Sequence, residues 1–94
     1  MTYRALPEGL FIKSSPIAGQ GIFSRNMINE GTELGMSHII INEEIIRTPL
    51  GGFINHSDLP NCEKYKIDNR YYIRVIRPIS PMEELFLKYT FYNV

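Results

Sequence analysis

The chain has 94 residues, 44% of them hydrophobic, with 10 basic residues against 10 acidic ones. That length holds one small domain, read over residues 1–94, and the balanced charge excludes a generally cationic nucleic-acid binder and an acidic disordered tail. No apolar run reaches the roughly 18 residues of a bilayer span and no signal pattern opens the chain, while Cys62 as sole cysteine excludes an intramolecular disulfide; an intracellular protein, cytoplasmic or nuclear, with no membrane and no direct nucleic-acid contact, is the expectation.

Fourteen isoleucines, six tyrosines and five phenylalanines against two alanines favour the half-buried surface of a sheet over a helix, so the chain reads as mostly β. Leu10 to Lys13 is the first strand, stopped by Ser14-Ser15-Pro16. Ala18-Gly19-Gln20-Gly21 is a turn, and Gly21 to Ser24 resumes an extended piece. Asn29-Glu30-Gly31 turns the chain into a short strand from Thr32 to Gly35. His38 to Ile41 is a β-branched apolar run, and Asn42 to Ile46 is read as one helical turn before Pro49. Leu50 to Asn61 has no period. A hairpin follows, with strands Glu63 to Ile67 and Arg70 to Ile76 around the turn Asp68-Asn69. Pro78 to Pro81 is irregular, and Glu84 to Tyr89 is the last strand.

One echo runs through this pattern. Ile28, Glu33 and Leu34 recur 51 residues later as Ile79, Glu84 and Leu85, each set closing a turn and opening a strand. Two related β-units folded on one another would produce it, and so would chance.

Searches for catalytic motifs find no Walker loop, no H-E-x-x-H, no C-x-x-C and no G-x-S-x-G. Cys62 lies six residues after His56, but nothing in the sequence supplies the third group that orients a Cys–His nucleophile pair. Taken singly, Gly19 and Gly21 read as a tight turn, Asn55-His56-Ser57 as a loop that satisfies buried backbone groups, and Tyr89 as a core residue.

Three segments in order change that reading. They are Ser15-Pro16-Ile17-Ala18-Gly19-Gln20-Gly21-Ile22-Phe23-Ser24, Gly52-Phe53-Ile54-Asn55-His56-Ser57-Asp58-Leu59-Pro60-Asn61-Cys62, and Glu83-Glu84-Leu85-Phe86-Leu87-Lys88-Tyr89. Together they resemble the SET-domain lysine methyltransferases: a G-x-G cofactor turn, the F-x-N-H-S-x-x-P-N core, and the E-E-L-x-x-x-Y end. The turn Ile28-Asn29-Glu30-Gly31 also matches the family's spacing after the first motif. The resemblance covers residues 10 to 90 and is to minimal, stand-alone members such as the compact viral ones. It implies small curved sheets of the β-clip kind around a knot-like crossing, where the C-terminal segment threads beside the N-H-S loop.

It also implies a chemistry, the transfer of a methyl group from S-adenosyl-L-methionine to a lysine ε-amine. Main-chain groups of Gly19, Gln20 and Gly21, with Ile22 beside them, are expected to meet the cofactor's polar tail. Asn55 and His56 are expected to bond the cofactor, Tyr89 to be the catalytic tyrosine and a cofactor contact, and Tyr92 to stack on the cofactor. Phe53 and Phe91 are the expected walls of a substrate channel. No metal is expected, because Asp58 stands where zinc-binding relatives carry a cysteine and Cys62 alone assembles no zinc site.

The chain departs from the family pattern in three further places. Only 17 residues separate Leu34 from Gly52, where relatives shape the substrate groove; Lys88 replaces an acidic residue before the last tyrosine; and a second channel tyrosine upstream of N-H-S has no match. These departures favour the alternative of a catalytically silent module that binds a peptide or partner chain. Charge is uneven: residues 1–25 carry +2, residues 26–63 carry −5 and residues 64–94 carry +3. The acidic middle suits a lysine-containing, histone-like protein or peptide as partner, or simply solvates an exposed face. The apolar run Ile39 to Ile41 makes a homodimer an expectation too.

Overall fold

The computed structural model describes residues 6–17 and 19–88. Within them the elements run β1 (Leu10–Ser14), β2 (Gln20–Ser24), β3 (Glu33–Ile41), β4 (Glu44–Arg47), α1 (Pro49–Phe53), β5 (Asn55–His56), β6 (Cys62–Ile67), β7 (Arg70–Val75) and β8 (Phe86–Leu87). The strands form three small sheets: the antiparallel pair β1-β2, a four-stranded sheet in the order β4-β3-β7-β6, and the parallel pair β5-β8. Mostly β is therefore correct, and the β6–β7 hairpin sits where the alternation put it, with Asp68 in the left-handed region at φ 54.

Two readings need correction. The helical turn expected from Asn42 to Ile46 is a hairpin: Asn42 and Glu43 both take positive φ, and β4 then returns along β3 with Ile39 opposite Ile46 and Ile40 opposite Ile45. Pairing of β-branched side chains across strands outweighs the weak helical preference of two glutamates. The strand placed at Thr32 to Gly35 and the apolar run after it are likewise one nine-residue strand, β3, kinked by register shifts around Gly35 and Ser37.

The aperiodic stretch holds the short helix α1. Thr48 caps it, accepting a bond from Gly51 N at 3.3 Å, and Pro49 sits at its first turn. The Thr48 hydroxyl also donates to Met36 O at 2.7 Å, tying the cap to β3. Gly51 is required here, since a Cβ at that position would overlap the Ser37 carbonyl oxygen. Leu50 and Ile54 can then join Ile22, Ile73, Val75, Ile79, Leu85 and Leu87 in the buried core.

The 51-residue echo proves structural. Ile28 and Ile79 exchange both backbone bonds, at 2.8 and 2.9 Å, and the pairs around them repeat with the two units interchanged. Gly31 N donates to Val75 O as Met82 N does to Ser24 O; Val75 N donates to Thr32 O as Ser24 N does to Glu83 O. Glu33 faces Arg74, and Glu84 faces Phe23. Two β-units thus clasp each other about the Ile28–Ile79 bridge.

His38, 5% exposed on β3, packs its ring edge-on against Tyr71 and holds Nδ1 2.9 Å from Ser37 Oγ. Burial, aided by the charges of Lys64 and Arg47, lowers its pKa from 6.5 to about 4. The folded state therefore holds this imidazole neutral, while the unfolded chain takes up a proton below pH 6.5. Its contribution to stability is complete above that value and is lost as pH falls toward 4. The thermal midpoint should drop between pH 6.5 and 4, and His38→Phe should flatten the slope of midpoint against pH across that window.

Candidate active site

The C-terminal segment is held on two sides at once. On one side it pairs with β2, Leu85 N donating to Ile22 O at 2.8 Å and Ser24 N to Glu83 O at 3.1 Å. On the other, β8 runs parallel to β5, Asn55 opposite Phe86 and His56 opposite Leu87, and Ser57 N donates to Leu87 O at 2.9 Å. The segment that threads beside the N-H-S loop is thus present, as the family resemblance implies.

A two-residue parallel ladder is too short to hold itself. Asn61, 1% exposed, secures it: Nδ2 donates to Glu84 O at 2.9 Å and Oδ1 accepts from Phe86 N at 2.8 Å. One side chain thereby pairs with the backbone on both sides of Leu85, standing in for a missing strand residue.

Glu84 is the centre of the crossing. It is 7% exposed, and its two carboxylate oxygens accept separately, Oε1 from Ser15 Oγ and Oε2 from Asn55 Nδ2, both at 2.8 Å. Ser15 Oγ is itself bonded by Ile17 N at 3.0 Å, which directs the hydroxyl proton at the carboxylate. Asn55 Nδ2 makes a second bond, to Gln20 O at 3.1 Å, so the amide sits between two acceptors with its orientation determined. The 15–21 turn, the N-H-S loop and the C-terminal segment meet at this one carboxylate.

The expected cofactor residues are brought together in part. Gln20 and Asn55 are in direct contact, and His56 follows on β5 with an exposed side chain whose Nε2 lies 3.4 Å from Asp58 Oδ1. Gly19 has φ +45 and nothing near the position of a Cβ, as a turn open to a ligand requires. Gly21 is required for a packing reason as well: a Cβ there would overlap the Glu84 carboxylate and press on Asn55 Nδ2. The Ile22 side chain is 0% exposed in the core, and its carbonyl accepts from Leu85 N. Phe53 ends α1 and is 38% exposed. Tyr89, Phe91 and Tyr92 lie outside the described residues.

Cys62 is a core residue. It is 1% exposed at the start of β6, and burial pushes its thiol up to about 12, far from the thiolate that a nucleophile needs. The residues that sequence reading missed are Ser15, Asn61 and Glu84. All three stand inside the quoted motifs, but their roles are bonds across 23 to 69 residues of chain, and no spacing rule reports those.

Residues 19 and 20 are exposed, and Gln20 O accepts from Asn55 Nδ2, which precedes His56 on β5. Among the described residues no cluster of three or more His, Cys, Asp or Glu side chains forms a metal cage, and no helix is long and apolar enough to cross a membrane.

Comparison with known proteins agrees with the fold. The SET domain family model matches residues 45–90. Among solved structures, a candidate histone methyltransferase of Plasmodium falciparum superposes with TM-score 0.72 at 23% identity, over 90% of this chain and 96% of that one. The methyltransferase domain of human PR domain-containing protein 2 superposes with TM-score 0.72 at 18% identity, over 90% and 79%. A humanized Chaetomium thermophilum Polycomb Repressive Complex 2, bound to the inhibitor GSK126, gives TM-score 0.73 at 20% identity over 88% of this chain and 15% of that one. A sequence comparison with curated proteins finds no match.

The Asn61 clamp is testable. Asn61→Ala leaves Glu84 O and Phe86 N without these partners and should cost about 2–4 kcal/mol in chemical denaturation. The Phe86 amide should exchange faster with solvent deuterium than in the parent protein.

Proposed function

We propose that this chain, a SET-domain protein, is a protein-lysine N-methyltransferase that uses S-adenosyl-L-methionine. The observation that carries the reading is the contact of the 19–21 turn with the N-H-S loop through Asn55 Nδ2, beside a strand that ends two residues before Tyr89. Relatives by fold described as methyltransferases support it.

S-adenosyl-L-methionine, when bound, supplies a methyl group already activated on a sulfonium. The work left to the chain is alignment, exclusion of water and control of one proton. Main-chain groups of Gly19, Gln20 and Gly21 bind the polar tail of the cofactor. Asn55 Nδ2 bonds both Gln20 O and Glu84 Oε2, which holds the N-H-S loop against the cofactor turn. The incoming lysine, with an ordinary pKa near 10.4, must lose its proton to solvent before its nitrogen lone pair attacks. The Tyr89 hydroxyl then orients the neutral amine, while Phe53 and Phe91 wall the channel and Tyr92 stacks on the cofactor. Glu30, Glu33, Glu43 and Glu44 are all exposed and give a lysine-rich, histone-like peptide an attractive surface.

The purified chain, given labelled S-adenosyl-L-methionine and a panel of histones and lysine-rich peptides, should label at least one, and Tyr89→Phe should lower the rate about 100-fold. Cofactor binding without product from any substrate would leave the silent peptide-binding module in its place. No cofactor binding would overturn the reading altogether. The proposal includes self-association at the β3–β4 tip, where Ile41, Ile45 and Ile46 are exposed. Light scattering should give the mass of a dimer, and Ile45→Lys that of a monomer.

A further inference from the structure

Glu33 and Glu84 occupy equivalent places in the two β-units, yet their surroundings differ. Glu33 is exposed and borders an open hollow with Glu8, Met27 and Asn29. Glu84 is buried, and among the described residues its two oxygens accept from Ser15 and Asn55, both uncharged. The β-unit therefore does not require a buried carboxylate at this position. Among the described residues no cation pairs with Glu84 either, because the two ion pairs found there are His56–Asp58 and Glu63–Arg74. Hydrogen bonds from neutral donors leave the formal charge of a carboxylate without a counter-charge, so a cation brought near it is attracted.

The groups that touch this carboxylate, or would touch it, are Ser15, Gly21 and Asn55, and Asn55 in turn bonds Gln20. Three of these four are the residues assigned to the cofactor. We infer that Glu84 is a specificity-determining residue, whose negative charge makes this pocket favour the sulfonium cofactor over its demethylated product. S-adenosyl-L-methionine carries one positive charge more than S-adenosyl-homocysteine, and the two are otherwise nearly the same shape. Shape and hydrogen bonds cannot separate them well, but a fixed charge in a partly desolvated pocket can. The same charge lowers the affinity for product relative to substrate after each transfer. This inference rests on the proposed cofactor.

Calorimetric titration of the full chain with each of the two compounds tests it without reference to turnover. Glu84→Gln keeps the size of the side chain and both contacts, since Oε1 can accept from Asn55 and the amide can donate to Ser15 Oγ. In that variant the preference for S-adenosyl-L-methionine over S-adenosyl-homocysteine should fall roughly tenfold, through weaker binding of the cation alone. A ratio unchanged within about twofold, with both compounds still bound, overturns the inference. If the wild-type chain binds neither compound, the cofactor reading itself fails. Should Glu84→Gln not fold, as shown by loss of its cooperative melt, Ser15→Lys sets an ammonium against the same carboxylate and should lower the ratio similarly. An unchanged ratio there overturns the inference as well.

Discussion

A single buried carboxylate joins three pieces of chain that are far apart in sequence. The bonds of Glu84 to Ser15 and Asn55, together with the bond from Asn55 to Gln20 O, link the 15–21 turn to the N-H-S loop. The arrangement is self-consistent only if position 21 is glycine, because the carboxylate occupies the space a side chain there would need. The geometry of the candidate pocket follows from this junction, and so does its charge.

Asn61 serves the same crossing from the other face. Bonding Glu84 O and Phe86 N, it lets the backbone on both sides of Leu85 remain buried with its polar groups satisfied. A small domain has little apolar surface to bury, and a two-residue parallel pairing adds little to it. Side-chain amides that imitate backbone supply the missing connectivity. Leu85 and Leu87, both essentially inaccessible, then lock the segment into the core beside Ile22 and Ile54.

The paired β-units explain how so short a chain builds this crossing. Each unit contributes a turn and a strand opening, and the Ile28–Ile79 bridge sets one against the other. The units are alike in backbone and unlike in side-chain environment. That difference places buried Asn61 and Glu84, with half-buried Ser15 and Asn55, at the crossing, leaving the equivalent region near Glu33 open to solvent. Polar groups that are expensive to bury collect where a ligand can use them.

Composition and alternation were enough to make the protein mostly β and to locate β1, β2 and the β6–β7 hairpin, while the resemblance of three ordered motifs brought Gly19, Gln20, Asn55 and His56 forward as candidates, because these signals are local: branched side chains, turn residues and motif spacing. The echo at 51 residues was visible as well, although sequence could not tell pairing from coincidence. Tertiary structure decided the rest. It turned Asn42 to Ile46 into a hairpin, moved Ile22 into the core, gave Gly21 to Glu84, and placed Asn61 and Ser15 in the crossing. Each of those outcomes depends on a partner between 15 and 70 residues away or on a neighbouring strand, and the free energy of such contacts exists only once the chain has folded back on itself.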